Sequence, residues 1–263
     1  MINPAEHSNN ARPYVEFQHV YKSFDDLPVL EDVSFDVQRG ETVVILGRSG
    51  VGKSVTLKHI LGFLYPDSGR VFVDGQEVSQ MTEAELAEIR RRVTMVFQSG
   101  ALFDSLTVGE NVAFPLRERA ERGLTMDEDQ ILARVAELLD RVELGDASGF
   151  MPSDMSTGMK RAVAIARALA AEPDAILYDE PTTMVDPLMA QTIGDLILKL
   201  KHQTGLTSIV VTHDMRLARK LADRLVFLMD GRVVFFGPAS ELDSAPEQVI
   251  QEFIALDEVS FLK

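Results

Sequence analysis

The segment GRSGVGKS, Gly47 to Ser54, ends in a glycine, a lysine and a serine, with its first glycine four intervening residues earlier. The pattern G-x-x-x-x-G-K-[ST] suits phosphate chemistry. Its glycines let backbone N–H groups turn inward around phosphate oxygens, and a helix starting there adds the positive end of its dipole. On this reading Gly47, Arg48, Ser49, Gly50, Val51 and Gly52 form a cradle continued by Lys53, Ser54 and Val55. Lys53 would contact the β- and γ-phosphates of ATP, and Ser54 would ligate Mg2+. A random chain matches the bare pattern roughly once in a hundred cases, so context decides. Here the motif lies between the apolar run TVVIL and the helical pattern KSVTLKHILGFL.

Three further segments could complete such chemistry. AILYDE is an apolar run ending in Asp179 and Glu180. If it is a buried strand, Asp179 sits at the sheet edge where an acid can hold Mg2+, and Glu180 leans to the other side, able to polarise a water for attack on the γ-phosphate. Taken alone, the pair reads equally well as a solvated turn before Pro181. In SIVVTHD a third buried run ends at His213, whose imidazole could hydrogen-bond the γ-phosphate and hold the water. A lone histidine at a strand end is more often structural, and the remaining histidines have no comparable context. Gln98 closes RVTMVFQ and can reach Mg2+ or water; its plainer reading is an ordinary strand-end amide.

These groups need a scaffold. TVVIL, AILY and SIVV are apolar throughout and alternate with helical patterns, which predicts an α/β fold with a parallel sheet covered on both faces. YVEFQHV, VSFDV and RVFVDG predict an antiparallel β lobe near the N-terminus. EDQILARVAELLDRVEL predicts a charged helix with one stripe formed by Ile131, Leu132, Val135, Leu138, Leu139 and Val142. Residues 85 to 155 therefore read as a mainly helical insertion. RLVFLMDGRVVFF predicts a hairpin turning at Asp230 and Gly231, and PEQVIQEFIAL a short amphipathic helix.

The chain has 263 residues, enough for one large domain. A formal charge of −15 argues against a surface tracking nucleic-acid phosphates. With no cysteine there is no disulfide framework, thiol nucleophile or Cys-ligated zinc. The N-terminal MINPAEHSNNARPYVEF has no apolar core after a basic start, so no secretory signal is expected. No apolar run approaches the ~18 residues of a membrane span. A cytosolic location is expected, with any membrane role supplied by a partner.

The order of the motifs resembles the nucleotide-binding subunit of ABC transporters, over about residues 14 to 240. The resemblance implies a P-loop ATPase fold, ATP and Mg2+ as cofactors, and Phe24 of YKSF stacked on adenine, with Tyr21 a rival. It also explains DMSTGMKRAV, which otherwise reads as a capped helix start. The family signature is Leu-Ser-Gly-Gly-Gln, and MSTGM matches it at Ser156 and Gly158 but departs at Thr157 and Met159. The hydroxyl and free N–H groups at this helix start would face the γ-phosphate bound in a partner subunit. Thr157 is a problem if its position requires positive φ or close backbone approach; otherwise the segment is a functional, modified signature with slower hydrolysis. Asp186, six residues past Glu180, is a further expected site residue. Met184 and Val185 before it are bulkier than the family's usual Gly-Leu or Ser-Leu.

One P-loop and one signature per chain imply a homodimer with two ATP sites, docked on an integral membrane permease near Gln98 to Glu110, on the cytoplasmic face. FQSGALFDSLTVGENVAFPLRE, with LGFLYPDSG and Met159, resembles the ATPases of Mla/MCE phospholipid-transport systems. That implies movement of phospholipid between inner membrane and cell envelope, with an MCE-type lipid-binding protein and a small regulatory subunit as further partners. An apolar patch at Ala101, Leu102 and Phe103 would suit permease docking, or would fill the groove between insertion and sheet. The alternatives are an ABC ATPase serving another substrate, a soluble non-transport ABC ATPase, and a non-hydrolysing ATP switch. The expected division is a tail at 1–12, an ATPase domain at 13–243 with a helical subdomain at about 85–160, and a C-terminal helical extension at 244–263.

Overall fold

The computed structural model describes residues 12–259 except 122, 124, 125 and 247. Of the expected tail only Arg12 falls within them, and the last four residues of the expected extension lie outside.

The site rests on a six-stranded sheet in the order β10-β9-β3-β8-β7-β6. Its strands are β3 (Thr42–Leu46), β6 (Val93–Val96), β7 (Ala175–Asp179), β8 (Thr207–Thr212), β9 (Arg224–Met229) and β10 (Arg232–Pro238). The first five run parallel and β10 returns antiparallel on β9. The return is the expected hairpin: Met229 pairs with Arg232 across Asp230 and Gly231, both at positive φ (45° and 75°). A second, antiparallel sheet has the order β2-β1-β4-β5, from β1 (Val15–Phe24), β2 (Leu27–Val37), β4 (Ser68–Val73) and β5 (Gln76–Glu77).

The uniform apolarity of the central strands follows from burial on both faces. Val44, Leu46, Ile176, Tyr178, Val210, Leu225 and Phe227 join one core, while Val43, Ile45, Leu177, Ile209, Val211 and Val226 join the other. Each such side chain contributes about 1.5–3 kcal/mol when fully buried. The second core holds the β lobe and α1 (Lys53–Ile60) against the sheet. The first is shared with α3 (Val108–Glu121), α4 (Glu128–Arg141), α5 (Thr157–Ala170), α6 (Pro187–Thr204) and α7 (Met215–Leu221).

Two expectations change. The stretch from 85 to 155 begins with α2 (Glu83–Arg92) but is interrupted by β6, an edge strand of the main sheet. In α4 the stripe buries Ile131, Val135, Leu138 and Leu139, and Val142 caps the helix from the same side. Leu132 does not join them and is 53% exposed, because it lies at the stripe's flank, about 100° around the helix from Ile131. The C-terminal helix α8 (Gln248–Val259) packs on its own domain: Ile250 is buried and Phe253 meets Phe227 edge to face at 5.0 Å.

Candidate functional site

The C-terminal ends of β3, β7 and β8 bring the P-loop, the Asp179–Glu180 pair and His213 to one edge of the sheet. Glycine is needed in the loop for two separate reasons. A Cβ on Gly47 would lie 2.3 Å from the Leu228 carbonyl oxygen, so the backbone crosses β9 too closely for a side chain. Gly52 caps α1 at φ 103°, in the left-handed region that side chains disfavour. The next residue, Lys53, begins the helix and points back over the loop. Its ammonium donates to the Gly47 carbonyl at 2.9 Å and the Arg48 carbonyl at 3.0 Å.

The two acids part company. The Ser54 hydroxyl donates to Asp179 Oδ1 at 2.7 Å. Glu180 Oε1 pairs with Lys53 Nζ at 2.9 Å, while Oε2 lies 2.8 Å from His213 Nδ1 and accepts from the Thr183 hydroxyl at 2.9 Å. Burial pushes the Glu180 carboxyl up, but the His213 and Lys53 hydrogen bonds outweigh it and hold the carboxyl down at about 2. The Glu180 hydrogen bond in turn raises His213. Asp179 is shifted upward by burial, with the Ser54 bond pulling the other way. Glu180 is therefore an ionised acceptor clamped from three sides, and it sits at φ 47°, a left-handed conformation uncommon outside glycine.

All of these groups but Asp179, which lies behind Ser54, face a cavity of about 270 Å3 lined by Ser49, Gly50, Gly52, Lys53, Ser54 and Val55, with Gln98, Glu180, Thr183 and His213 opposite. Gln98 lies in the loop after β6 rather than in the strand itself. Ser54, Asp179 and Gln98 offer the neutral and anionic oxygens that Mg2+ prefers. The cavity also reaches Val29 of β2, and Arg161 approaches from behind, donating to the Thr183 carbonyl at 3.2 Å. Thr183 and Arg161 carry no motif that marks them for the site. The available cue was a charge at Arg161 among the apolar positions of α5.

The remaining candidates lie apart from this cavity. Phe24 ends β1 with its ring 40% exposed and the Lys22 ammonium 5.5 Å above it; Lys22 is tied to Asp67 at 2.7 Å. Tyr21 is equally exposed. Ser156 caps α5, its hydroxyl accepting from the Met159 N–H at 3.2 Å. Thr157 is the first helical residue, exposed and without positive φ. Gly158 is buried beneath Met189: a Cβ there would lie 1.9 Å from the Met189 sulfur. Asp186 caps α6 by accepting from the Met189 N–H at 3.0 Å. Before it, Met184 takes φ 63° with 85% of its surface exposed. The strained backbone is thus at Met184, not at Thr157.

On the far side of the Gln98 loop a groove of about 620 Å3 runs between β6, α3 and α5. Ala101, Phe103 and Phe114 line it, the two rings 4.9 Å apart, while Leu102 packs into the core. Among the described residues no helix is long and apolar enough to cross a membrane.

A profile described as "ABC transporter" matches residues 30–183. A methionine import ATP-binding protein of Mesorhizobium japonicum is 40% identical over 233 residues, covering 87% of this chain and 61% of that protein. The chloroplast protein Trigalactosyldiacylglycerol 3 of Arabidopsis thaliana is 37% identical, covering 93% of this chain and 74% of its own length. The chain thus spans roughly two thirds of such relatives. An ATP-binding cassette solved as a dimer in a post-hydrolysis state, bound to ADP and Pi, superposes with a TM-score of 0.77 at 35% identity, covering 86% of this chain and 98% of that one.

Proposed function

This chain belongs to the ABC transporter family as an ATP-hydrolysing cassette, and we propose that it works as a homodimer driving a membrane permease that moves phospholipid between the inner membrane and the cell envelope. The observation that carries the catalytic part is the convergence of Lys53, Ser54, Gln98, Glu180 and His213 on one cavity. Lys53 and the P-loop N–H groups bind the phosphates, with Phe24 stacking on the adenine. Ser54, Asp179 and Gln98 hold Mg2+, which neutralises phosphate charge when bound. Glu180 orients and deprotonates the attacking water, and His213, hydrogen-bonded to it, fixes the carboxylate and faces the γ-phosphate.

Ser156 and Gly158 of a second copy, with Asp186 at the crossing, complete each site from outside. The dimeric cassette to which this chain is similar supports that arrangement. Residues 13–243 form the cassette, with 244–263 as an extension. The groove beside Phe103 and Phe114 is where a permease helix docks, at the cytoplasmic face.

The lipid assignment rests on the Phe97 to Glu118 run and Met159, and is supported by similarity to a relative whose name carries a galactolipid. The methionine importer is as similar and favours amino-acid import as the second reading. Purifying the tagged chain from native membranes in mild detergent and identifying its companions by mass spectrometry separates them. A permease with an MCE-type lipid-binding protein, and a small regulatory subunit, is expected. A permease with a solute-binding protein would discard lipid, and recovery without any membrane subunit would move the chain to a soluble ATPase role.

A further inference from the structure

Helix α5 carries a charge on its buried face. Arg161 lies one and two turns before the buried Ile165 and Leu169 and is itself 3% exposed. Its partners are main-chain carbonyls rather than carboxylates. Nη1 reaches the carbonyls of Phe97 and Glu180 at 3.5 Å each, Nη2 donates to that of Thr183 at 3.2 Å, and Nε has no partner. Burying a guanidinium that no carboxylate pairs with directly is unfavourable: desolvation lowers its pKa, and the Asp179 charge opposes that without a hydrogen bond, so packing alone gives no reason for arginine here. What arginine supplies is a rigid fork of donors able to hold several acceptors at once.

The three carbonyls belong to two segments that border the nucleotide cavity, the Gln98 loop and the turn from Glu180 to Thr183. Phe97 precedes Gln98. Glu180 is the candidate base, and the Thr183 hydroxyl bonds the Glu180 carboxylate at 2.9 Å. The turn they form is strained, with Glu180 and Met184 both left-handed at φ 47° and 63°. The guanidinium fork reaches two carbonyls of that turn, at Glu180 and Thr183. Ser156, the cap of the same helix, lies five residues earlier. A single side chain therefore ties the signature helix to both the Gln98 loop and the Glu180 turn. The far end of that loop is held by the same helix, since Arg167 Nη2 donates to the Gly100 carbonyl at 3.1 Å.

We propose that Arg161 is a positioning residue for ATP hydrolysis: it fixes α5 in register with Gln98 and Glu180, and so sets the rate of turnover without contributing to nucleotide affinity. This rests on Glu180 acting as base, so Glu180→Gln is measured alongside. The full-length chain, Arg161→Met and Arg161→Lys are compared for kcat and KM of ATPase, affinity for a fluorescent ATP analogue, and melting temperature. Arg161→Met is expected to lower kcat at least about tenfold while KM and affinity stay within about twofold. Arg161→Lys falls between, because an ammonium cannot span the carbonyls as the fork does. A kcat within about twofold of the parent in both variants, or a loss carried by KM, overturns the proposal. So does failure of both variants to fold, which would assign Arg161 to the core. Undiminished turnover in Glu180→Gln, or none in the parent chain, removes the reading of the site itself, and the proposal falls with it.

Discussion

The P-loop and the signature segment are both helix starts, at α1 and α5, yet the chain finishes them differently. At the P-loop the charged groups are engaged within the chain: Lys53 is 5% exposed and holds Glu180 and two carbonyls, and Ser54 is bonded to Asp179. At the signature, Ser156 and Thr157 are exposed and the serine hydroxyl does no more than cap its own helix. One half of the site is assembled by this chain's own packing. The other half presents donors outward, as expected of a surface completed by a second copy.

The comparison breaks most visibly at Glu180. If the P-loop half carries the chemistry, Glu180→Gln lowers turnover by roughly 10²–10⁴-fold, the usual worth of a general base, while ATP binding is retained. Single-turnover hydrolysis and nucleotide titration read the two quantities separately. Lys53→Ala comes next and differs in kind. It removes a charge-assisted contact worth about 1.5–3 kcal/mol, so ATP affinity should drop roughly tenfold to a hundredfold. It also strips the buried Glu180 of its counter-charge, and the melting temperature should fall with it. Unchanged affinity in Lys53→Ala would remove the P-loop half of the comparison.

The two halves also differed in how far sequence could read them. The parallel sheet was legible because TVVIL, AILY and SIVV are apolar at successive positions, as strands buried on both faces must be. The P-loop, Asp179, Glu180 and His213 were legible because strand ends put motif residues at one sheet edge. The geometry of the turn after β7 was not. Nothing in TTMVDP marks Thr183 as a partner of Glu180, or Met184 as the residue held left-handed. Leu132 was misplaced because helical periodicity fixes a stripe's centre better than its flanks. At the signature the sequence made Thr157 a problem only if its position required positive φ or close approach; the close approach is one residue later, where Gly158 meets a methionine from α6.

That contact gives the third prediction. Gly158→Ala forces a methyl group against Met189, whose flexible end must move aside. Overpacking of this kind costs about 1–3 kcal/mol, measurable by thermal or denaturant unfolding. Met189→Ala in the same chain opens the space and should restore most of the loss. If Gly158→Ala alone is as stable as the parent, the glycine is kept for contacts outside the chain rather than for packing within it.

The smallest effect is expected at Thr157, although it is the more visible departure from the family signature. Being exposed, at the first position of α5 and in ordinary helical geometry, Thr157 needs neither positive φ nor close approach within the chain. Thr157→Gly gains nothing from relief of strain and loses a few tenths of a kcal/mol in helix propensity. Turnover should change by less than about twofold, since no interaction made only in the transition state is removed. A several-fold rise in kcat would mean that the threonine restrains closure against a second copy. The exposed half of the site would then be tuned from outside the chain, and its rate would depend on the dimer rather than on the fold described here.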